Sequence, residues 1–316
     1  AVRAAAVRGL RDPGALTVSF YTLWGSLEIG LVFSLVALGV FITFRVLNFP
    51  DLTVDGSFPL GAATAAILIS TGHNPFLATG AGMLAGAAAG LVTGWLNVRL
   101  RIMDLLAGIL VMIALYSINL RVMGGPNVPL ISEPTVFSFL PGWLPDYVER
   151  PLAMLLLVAV LKLLLDRFFA SQLGLALRAT GANGRMARAQ GVNTGNAVLL
   201  GMAISNALVG LAGALFAQSQ GGADISMGIG TIVIGLAAVI VGEGILPARR
   251  IVWTTLAVVL GAVLYRLVIA IALNSDFIGL EAQDLNLITA VLVGAALVLP
   301  RAFSRRKPGR RTTKAG

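Results

Sequence analysis

The chain has 316 residues, of which 57% are hydrophobic and 12% charged, with a formal net charge of +9, one histidine and no cysteine. Soluble domains carry about 25% charged residues, so this composition marks a polytopic membrane protein. Without cysteine, disulfides, thiolate metal sites and cysteine nucleophiles are excluded.

In residues 1–18 the apolar content is broken by Arg3, Arg8, Arg11 and Asp12, so this N-terminal segment does not read as a cleavable signal. A transmembrane domain is expected over 19–300. Its apolar runs predict spans near 22–44, 54–71, 76–98, 103–120, 151–165, 197–218, 228–246, 251–273 and 283–299. Crossing the bilayer core takes roughly 20 apolar residues, and backbone groups in lipid must be satisfied internally, so these runs predict helices. The period-2 alternation of a membrane barrel is missing. The expected fold is all-α, with about 8–10 transmembrane helices. The fifth run is short, but its apolar face extends through Phe168 and Phe169.

Loop charge orients the spans. His73 lies in the turn-rich link Thr71 to Pro75, with no second histidine or cysteine to complete a transition-metal site. Arg99 and Arg101 form one basic link, Arg167, Arg178, Arg185 and Arg188 stand in a loop at 166–196, and Arg249 and Arg250 form a third. The link between Arg121 and Arg150 instead carries Glu133, Asp146 and Glu149 with Phe137, Phe139, Trp143 and Tyr147, and is expected outside. The basic residues Arg301, Arg305, Arg306, Lys307, Arg310, Arg311 and Lys314 predict a cytoplasmic tail at 301–316 rather than a nucleic-acid surface. Nine full crossings would put the N-terminus outside, whereas its three arginines favour the inside. A broken or re-entrant helix near 50–71, seeded by the breakers and caps from Asn48 to Gly56, would remove that conflict.

Gly82, Gly86, Gly90 and Gly94 recur every fourth residue, on nearly one face of the third span. That stripe admits another backbone at close range, within the subunit or between two. A weak internal repeat pairs Asp55–Ala66 with Gly228–Ala238, each running from an early glycine into a small-residue helix.

Ionisable groups inside a membrane cost roughly 2.5–3.5 kcal/mol on insertion scales. Glu28 lies early in the first span, and Asp51 and Asp55 flank the suspected break. Asp104 is expected to pair with Arg101. Glu243 is expected either to pair with Arg249 and Arg250 or to contact coupling machinery. Arg266 needs a partner, with Glu28 and Asp284 as candidates. Asp51, Asp55, Tyr116, Ser117, Asn119, Ser205 and Asn206 are candidates for a translocation pathway, because a small polar solute needs weak, replaceable hydrogen bonds. For each the alternative is an interhelical hydrogen bond worth about 0.6 kcal/mol. No nucleophile–base or metal constellation accompanies these acids, so an enzyme is not expected.

The most informative stretch is the polar interruption from Gln172 to Asn196. Asn183 is a good N-cap, 184–190 can make a short helix, and Gly191 suits the left-handed C-cap position. Met186 and Ala189 are expected near one side, with Arg185 and Arg188 exposed. So short a helix needs its neighbours or a partner's groove to hold it. The plain alternative is a loop that caps two helices.

The pattern Gly174, Arg178, Gly181, Asn183, Ala187, Gly191, Asn193 resembles the cytoplasmic loop of ABC-importer permeases of the branched-chain amino-acid group. The run from Ala203 to Ala217 resembles the helix after that loop. The block from Val36 to Phe49, followed by Asp55-Gly56 and Gly61-Ala62, resembles the group's first block. The wording from Phe49 to Ala62 is closer to a narrower branch associated with tryptophan- or tyrosine-type import. The resemblance implies a subunit that works as a pair, most simply a homodimer. Each copy would receive a separate ATPase at 174–193, carrying ATP and Mg, and an extracytoplasmic binding protein would deliver substrate. It also implies the bacterial inner membrane, with the C-terminus cytoplasmic. The chain lacks a G-x-x-x-x-G-K-[ST] phosphate loop, and no cofactor is expected in it. The expected function is an importer permease for a small polar solute, an amino acid with aromatic ones favoured. The alternative is an ion-coupled secondary transporter using Asp55 and Glu28.

Overall fold

The computed structural model describes residues 20–142, 145–246, 250–274 and 294. The expectations for 1–18, for the tail at 301–316 and, apart from Gly294, for the span at 283–299 lie outside the described residues. In chain order the described elements are α1 (Phe20–Val40), a π-helical turn (Phe41–Val46), α2 (Val54–Ser70), α3 (Pro75–Leu100) and α4 (Asp104–Met123). There follow β1 (Asn127–Pro129), a 3-10 turn (Val136–Phe139), α5 (Asp146–Ala170), α6 (Gln172–Ala189) and α7 (Thr194–Gln220). The described part closes with β2 (Gly222–Asp224), a second 3-10 turn (Ile225–Gly228), α8 (Thr231–Ile245) and α9 (Ile251–Asn274). The fold is all-α and polytopic. Among the described residues, six helical segments are long and apolar enough to cross a membrane: 23–46, 75–100, 104–123, 194–220, 225–245 and 251–271. The 17-residue α2 and the more charged, 25-residue α5 run beside them. The fifth span does extend through Phe168 and Phe169, as its apolar face predicts.

Helices in lipid gain little from apolar burial, because lipid tails are as apolar as leucine; close backbone packing takes its place. The glycine stripe of α3 supplies it within the subunit, against antiparallel α7. A Cβ on Gly86 or Gly90 would collide with the carbonyl oxygens of Asn206 or Met202, and one on Gly94 would sit 3.2 Å from Leu199 Cδ2. A Cβ on Gly61 of α2 would strike the Gly210 backbone, and one on Gly210 would lie 2.6 Å from the Gly82 carbonyl oxygen. Three helices therefore touch backbone to backbone at Gly61, Gly82, Gly86 and Gly210. Beside this node Phe33, Phe58 and Phe216 pack with ring centroids 5.5–5.8 Å apart. The Arg266 guanidinium lies 5.4 Å from the Phe33 ring centroid, a cation–π contact. Its expected partner Glu28 instead accepts a hydrogen bond from the Ser219 hydroxyl at 2.5 Å, and Asp284 lies outside the described residues.

The expected break is present, but it precedes the helix instead of interrupting it. The π-helical turn ends α1, Asn48 takes a left-handed φ of 56°, and the Phe49 N–H returns to the Thr43 carbonyl at 2.8 Å. Residues 47–53 then climb beside α7 without regular helix, so that Leu47 meets Gly201 and Asp51 meets Asn206. From there α2 continues to the far end, where Ile69 packs with Val128 and Leu130. Residues 50–71 thus form an irregular stretch followed by one continuous helix from Val54 to Ser70. The start of α1 lies at this same far end, where Tyr21 meets Tyr147 edge-on at 5.0 Å, so α2 does not remove the N-terminal conflict.

The crossing at 221–245 reverses that construction. β2 pairs with β1 at the far end (Asn127 opposite Asp224), the 3-10 turn dips inward, and α8 covers the remaining depth toward α6. The two segments paired as a weak repeat are the N-terminal turns of α2 and α8, and they meet. A Cβ on Gly228 would strike the Asp55 carbonyl and the Pro59 ring.

Candidate functional site

Two sites emerge, one at each end of α8. The first surrounds α6. The chain turns from α5 into α6 at Ser171, whose hydroxyl accepts the Gly174 N–H at 3.3 Å. The expected short helix is the second part of α6. Asn183 leaves the helical region (φ −159°, ψ 93°), and its side chain accepts the Met186 N–H at 3.1 Å. The sequence had suggested nothing helical before it, yet 172–182 is helical too. At the other end Gly191 has φ 83°, the Val192 N–H bonds to Ala187 O at 3.0 Å, and the Gly191 N–H bonds to Arg188 O at 3.0 Å. This is a Schellman closure, which places glycine where a Cβ is disfavoured. Asn193 then caps α7 through the Asn196 N–H at 3.1 Å.

The motif residues therefore divide by what they touch. Gly174 abuts the Phe168–Phe169 backbone, Gly181 abuts the Val46 carbonyl and Leu47, and Ala187 is buried. Asn183, Gly191 and Asn193 shape the backbone, and Arg178 alone projects. Arg185 and Arg188 are exposed as expected. Met186 and Ala189 are exposed too, and Ala187 faces inward in their place. Sequence reasoning passed over Leu173 and Leu175, whose exposure here gives α6 an apolar outer surface. Between α6, the end of α1, α8 and α9 lies an open groove of about 740 Å3, lined by Phe44, Arg45, Arg178, Gly181, Glu243 and Thr254 among others. Glu243 pairs here with Arg45 at 2.7 Å, across the protein, and not with Arg250; Arg249 lies outside the described residues. Asp104 likewise accepts from Asn97 Nδ2 at 2.6 Å in place of the expected Arg101 pair.

The second site lies where the N-termini of α2 and α8 meet. A cavity of about 420 Å3 is lined by Asp55, Gly56 and Pro59 of α2, Met112, Ile113, Tyr116, Ser117 and Asn119 of α4, and Ile225 and Ile229 before α8. Four expected pathway residues thus share one cavity: Asp55, Tyr116, Ser117 and Asn119. Asp55 Oδ1 accepts the Ile232 N–H at 2.7 Å and Oδ2 the Gly230 N–H at 3.3 Å, so the carboxylate of one half-helix caps the other.

The other three pathway candidates lie elsewhere. Asp51, Ser205 and Asn206 are fully buried in hydrogen bonds between elements: Asn206 Nδ2 donates to Asp51 Oδ2 at 2.8 Å, Ser57 Oγ to Asn206 Oδ1 at 2.7 Å, and Ser205 Oγ to Gly39 O at 2.7 Å. They fasten residues 51–57 and α1 to α7 and do not line the cavity. Gln218, not singled out from sequence, joins Thr79 Oγ1 (2.8 Å) to the Val136 N–H (2.9 Å) and ties the far-end loop to α7. An amide at the end of an apolar run was the signal available for it. Met112, Ile225 and Ile229 carried none, being apolar residues among many.

Residues 23–299 match the family described as branched-chain amino acid transport system, permease component. A tyrosine transport system permease protein from Clostridioides difficile (strain R20291) is 40% identical over 84% of this chain and 87% of its own length. The galactofuranose transporter permease protein YtfT from Escherichia coli (strain K12) is 27% identical over 79% of this chain and 71% of its own. A metal-chelate type ABC transporter solved in an inward-facing conformation aligns over 94% of this chain and 91% of its own, with TM-score 0.49 and 15% identity. Matched over most of its length, and 40% identical to one of these permeases, the chain belongs to the branched-chain amino acid transport system permease family.

Proposed function

We propose that the chain is the membrane subunit of an ATP-driven importer for amino acids, aromatic ones favoured, and that it works by alternating access. Two copies would each seat an ATPase carrying ATP and Mg on α6, and an extracytoplasmic binding protein would deliver substrate at the far end. The α6 end and the C-terminus would then face the cytoplasm across the bacterial inner membrane. The carrying observation is the path through α8: Glu243 near its end lines the α6 groove with Arg178 and Gly181, and its first turn is held by a carboxylate that lines the internal cavity. A push on α6 can reach the cavity along one rigid helix. The aromatic preference is supported by the similarity to a permease named for tyrosine transport. The test is reconstitution of the purified chain, with and without its ATPase and binding protein, and radiolabelled L-tyrosine uptake. ATP-dependent uptake by the full assembly alone supports the reading. ATP-independent, ion-coupled uptake by the isolated chain overturns it in favour of a secondary transporter.

A further inference from the structure

The internal cavity has an uneven chemistry. Asp55 is the one carboxylate among its described lining residues, which include no lysine, arginine or histidine. Its carboxylate has about four lone-pair sites and uses two of them on the Gly230 and Ile232 N–H groups, which leaves acceptor capacity free. The second observation is independent of the α8 N-terminus. Asn119 is 1% exposed, and its Nδ2 donates to the Gly56 carbonyl at 3.2 Å. That bond fixes the amide's orientation, and its Oδ1 is left buried without a hydrogen-bond partner among the described residues. A buried orphan acceptor costs about 1–3 kcal/mol, which a bound donor would recover.

We infer that this cavity is a subsite for a primary ammonium group, held between the Asp55 carboxylate and the Asn119 carbonyl oxygen. An ammonium presents three donors, and the Tyr116 and Ser117 hydroxyl oxygens on the same wall offer the third acceptor. A calcium or magnesium ion wants six or more oxygens, and no cluster of three metal-ligating side chains exists among the described residues. Pro59, Met112, Ile113, Ile225 and Ile229 supply a wall for an apolar or aromatic body. No cationic side chain among the described lining residues faces a substrate carboxylate, so the amine is the group read here. The inference rests on the proposed role of the cavity as a solute site and adds the feature it recognises.

The chain has no cysteine, so Ile229→Cys on the cavity wall gives a single reporter thiol. The full-length protein in lipid nanodiscs is alkylated with neutral N-ethylmaleimide in the presence of tyramine, L-tyrosine or 3-(4-hydroxyphenyl)propionate. Tyramine and L-tyrosine are expected to slow labelling at concentrations roughly tenfold below the deaminated acid, the factor expected for one charge-assisted hydrogen bond. Asp55→Asn keeps an acceptor for the Ile232 N–H, so α8 stays capped, and it should erase the amine's advantage; Asn119→Leu should do the same. An unchanged labelling rate without probe certifies each variant's fold, and if Asn119→Leu does not insert, Asp55→Asn decides alone. Equal protection by the deaminated acid, or an advantage that survives Asp55→Asn, overturns the inference. Tyramine protection in a protein whose full assembly does not import tyrosine would reject the substrate and leave the ammonium subsite standing.

Discussion

Asp55 of α2 holds the first turn of α8, its Oδ1 accepting the Ile232 N–H at 2.7 Å across 177 residues of sequence. The contact joins the two crossings that are only partly helical. Each of these half-helices starts within the fold, and each has an aspartate at hand: Asp51 accepts the Thr53 N–H at 2.9 Å beside α2, and Asp55 serves α8. Non-helical backbone at membrane depth is tolerated where protein surrounds it or it lines a cavity. Residues 47–53 meet the first condition, and 225–230 meet the second.

Asp55→Ala is expected to destabilise the protein by about 1–2 kcal/mol, the loss of a good helix cap. Asp55→Asn should recover most of that loss through its remaining carbonyl oxygen. Thermal unfolding in detergent, followed by size-exclusion fluorescence, reads both variants. Equal melting of wild type and Asp55→Ala would show that the contact does not hold α8.

The same substitution should have opposite signs at two glycines of α3. Gly80→Ala meets open space and gains helix propensity, up to about 1 kcal/mol. Gly86→Ala drives a methyl group into the Asn206 carbonyl and should cost roughly 1–3 kcal/mol. A matched pair of melting curves decides it, and a stabilised Gly86→Ala would mean that α3 and α7 separate more easily than their contact implies.

Much of this was legible in sequence because it rests on local chemistry. Apolar runs located the spans, and Asn183 and Gly191 bounded the second part of α6, since caps need particular residue types. Packing partners were not legible. The stripe of α3 announces a close approach but not α7 as the neighbour. Glu243 has Arg250 seven residues on, yet pairs with Arg45, 198 positions away. The pathway candidates divided for the same reason. Ser117 and Ser205 are alike in type, but one faces a cavity and the other is sealed against Gly39, a distinction made by tertiary structure alone.

On α6, shape and contact should separate experimentally. Gly181→Val forces a side chain into the Val46 carbonyl, and Gly191→Val places a β-branched residue at φ 83°, a penalty of roughly 1–2 kcal/mol. Both should lower the melting temperature and impair ATPase binding together. Arg178→Ala removes an exposed side chain and should leave melting unchanged while weakening ATPase association, read by co-purification. If Arg178→Ala associates normally and Gly181→Val does too, α6 is not the docking surface.

Two ion pairs should respond differently to loss of one member. Arg45 is 63% exposed, and its pair with Glu243 should contribute less than about 1 kcal/mol to stability. Lys162 and Asp166 form a largely buried pair one turn apart at 2.5 Å, and the Thr255 hydroxyl donates to the other Asp166 oxygen at 2.6 Å, tying α5 to α9. Lys162→Met leaves the Asp166 carboxylate buried with one hydroxyl for company, and a broken buried pair costs about 3–5 kcal/mol. Adding Asp166→Leu removes the stranded charge and should restore most of that stability. A double variant as unstable as Lys162→Met alone would show that Asp166 matters for its bond to Thr255 rather than for its charge.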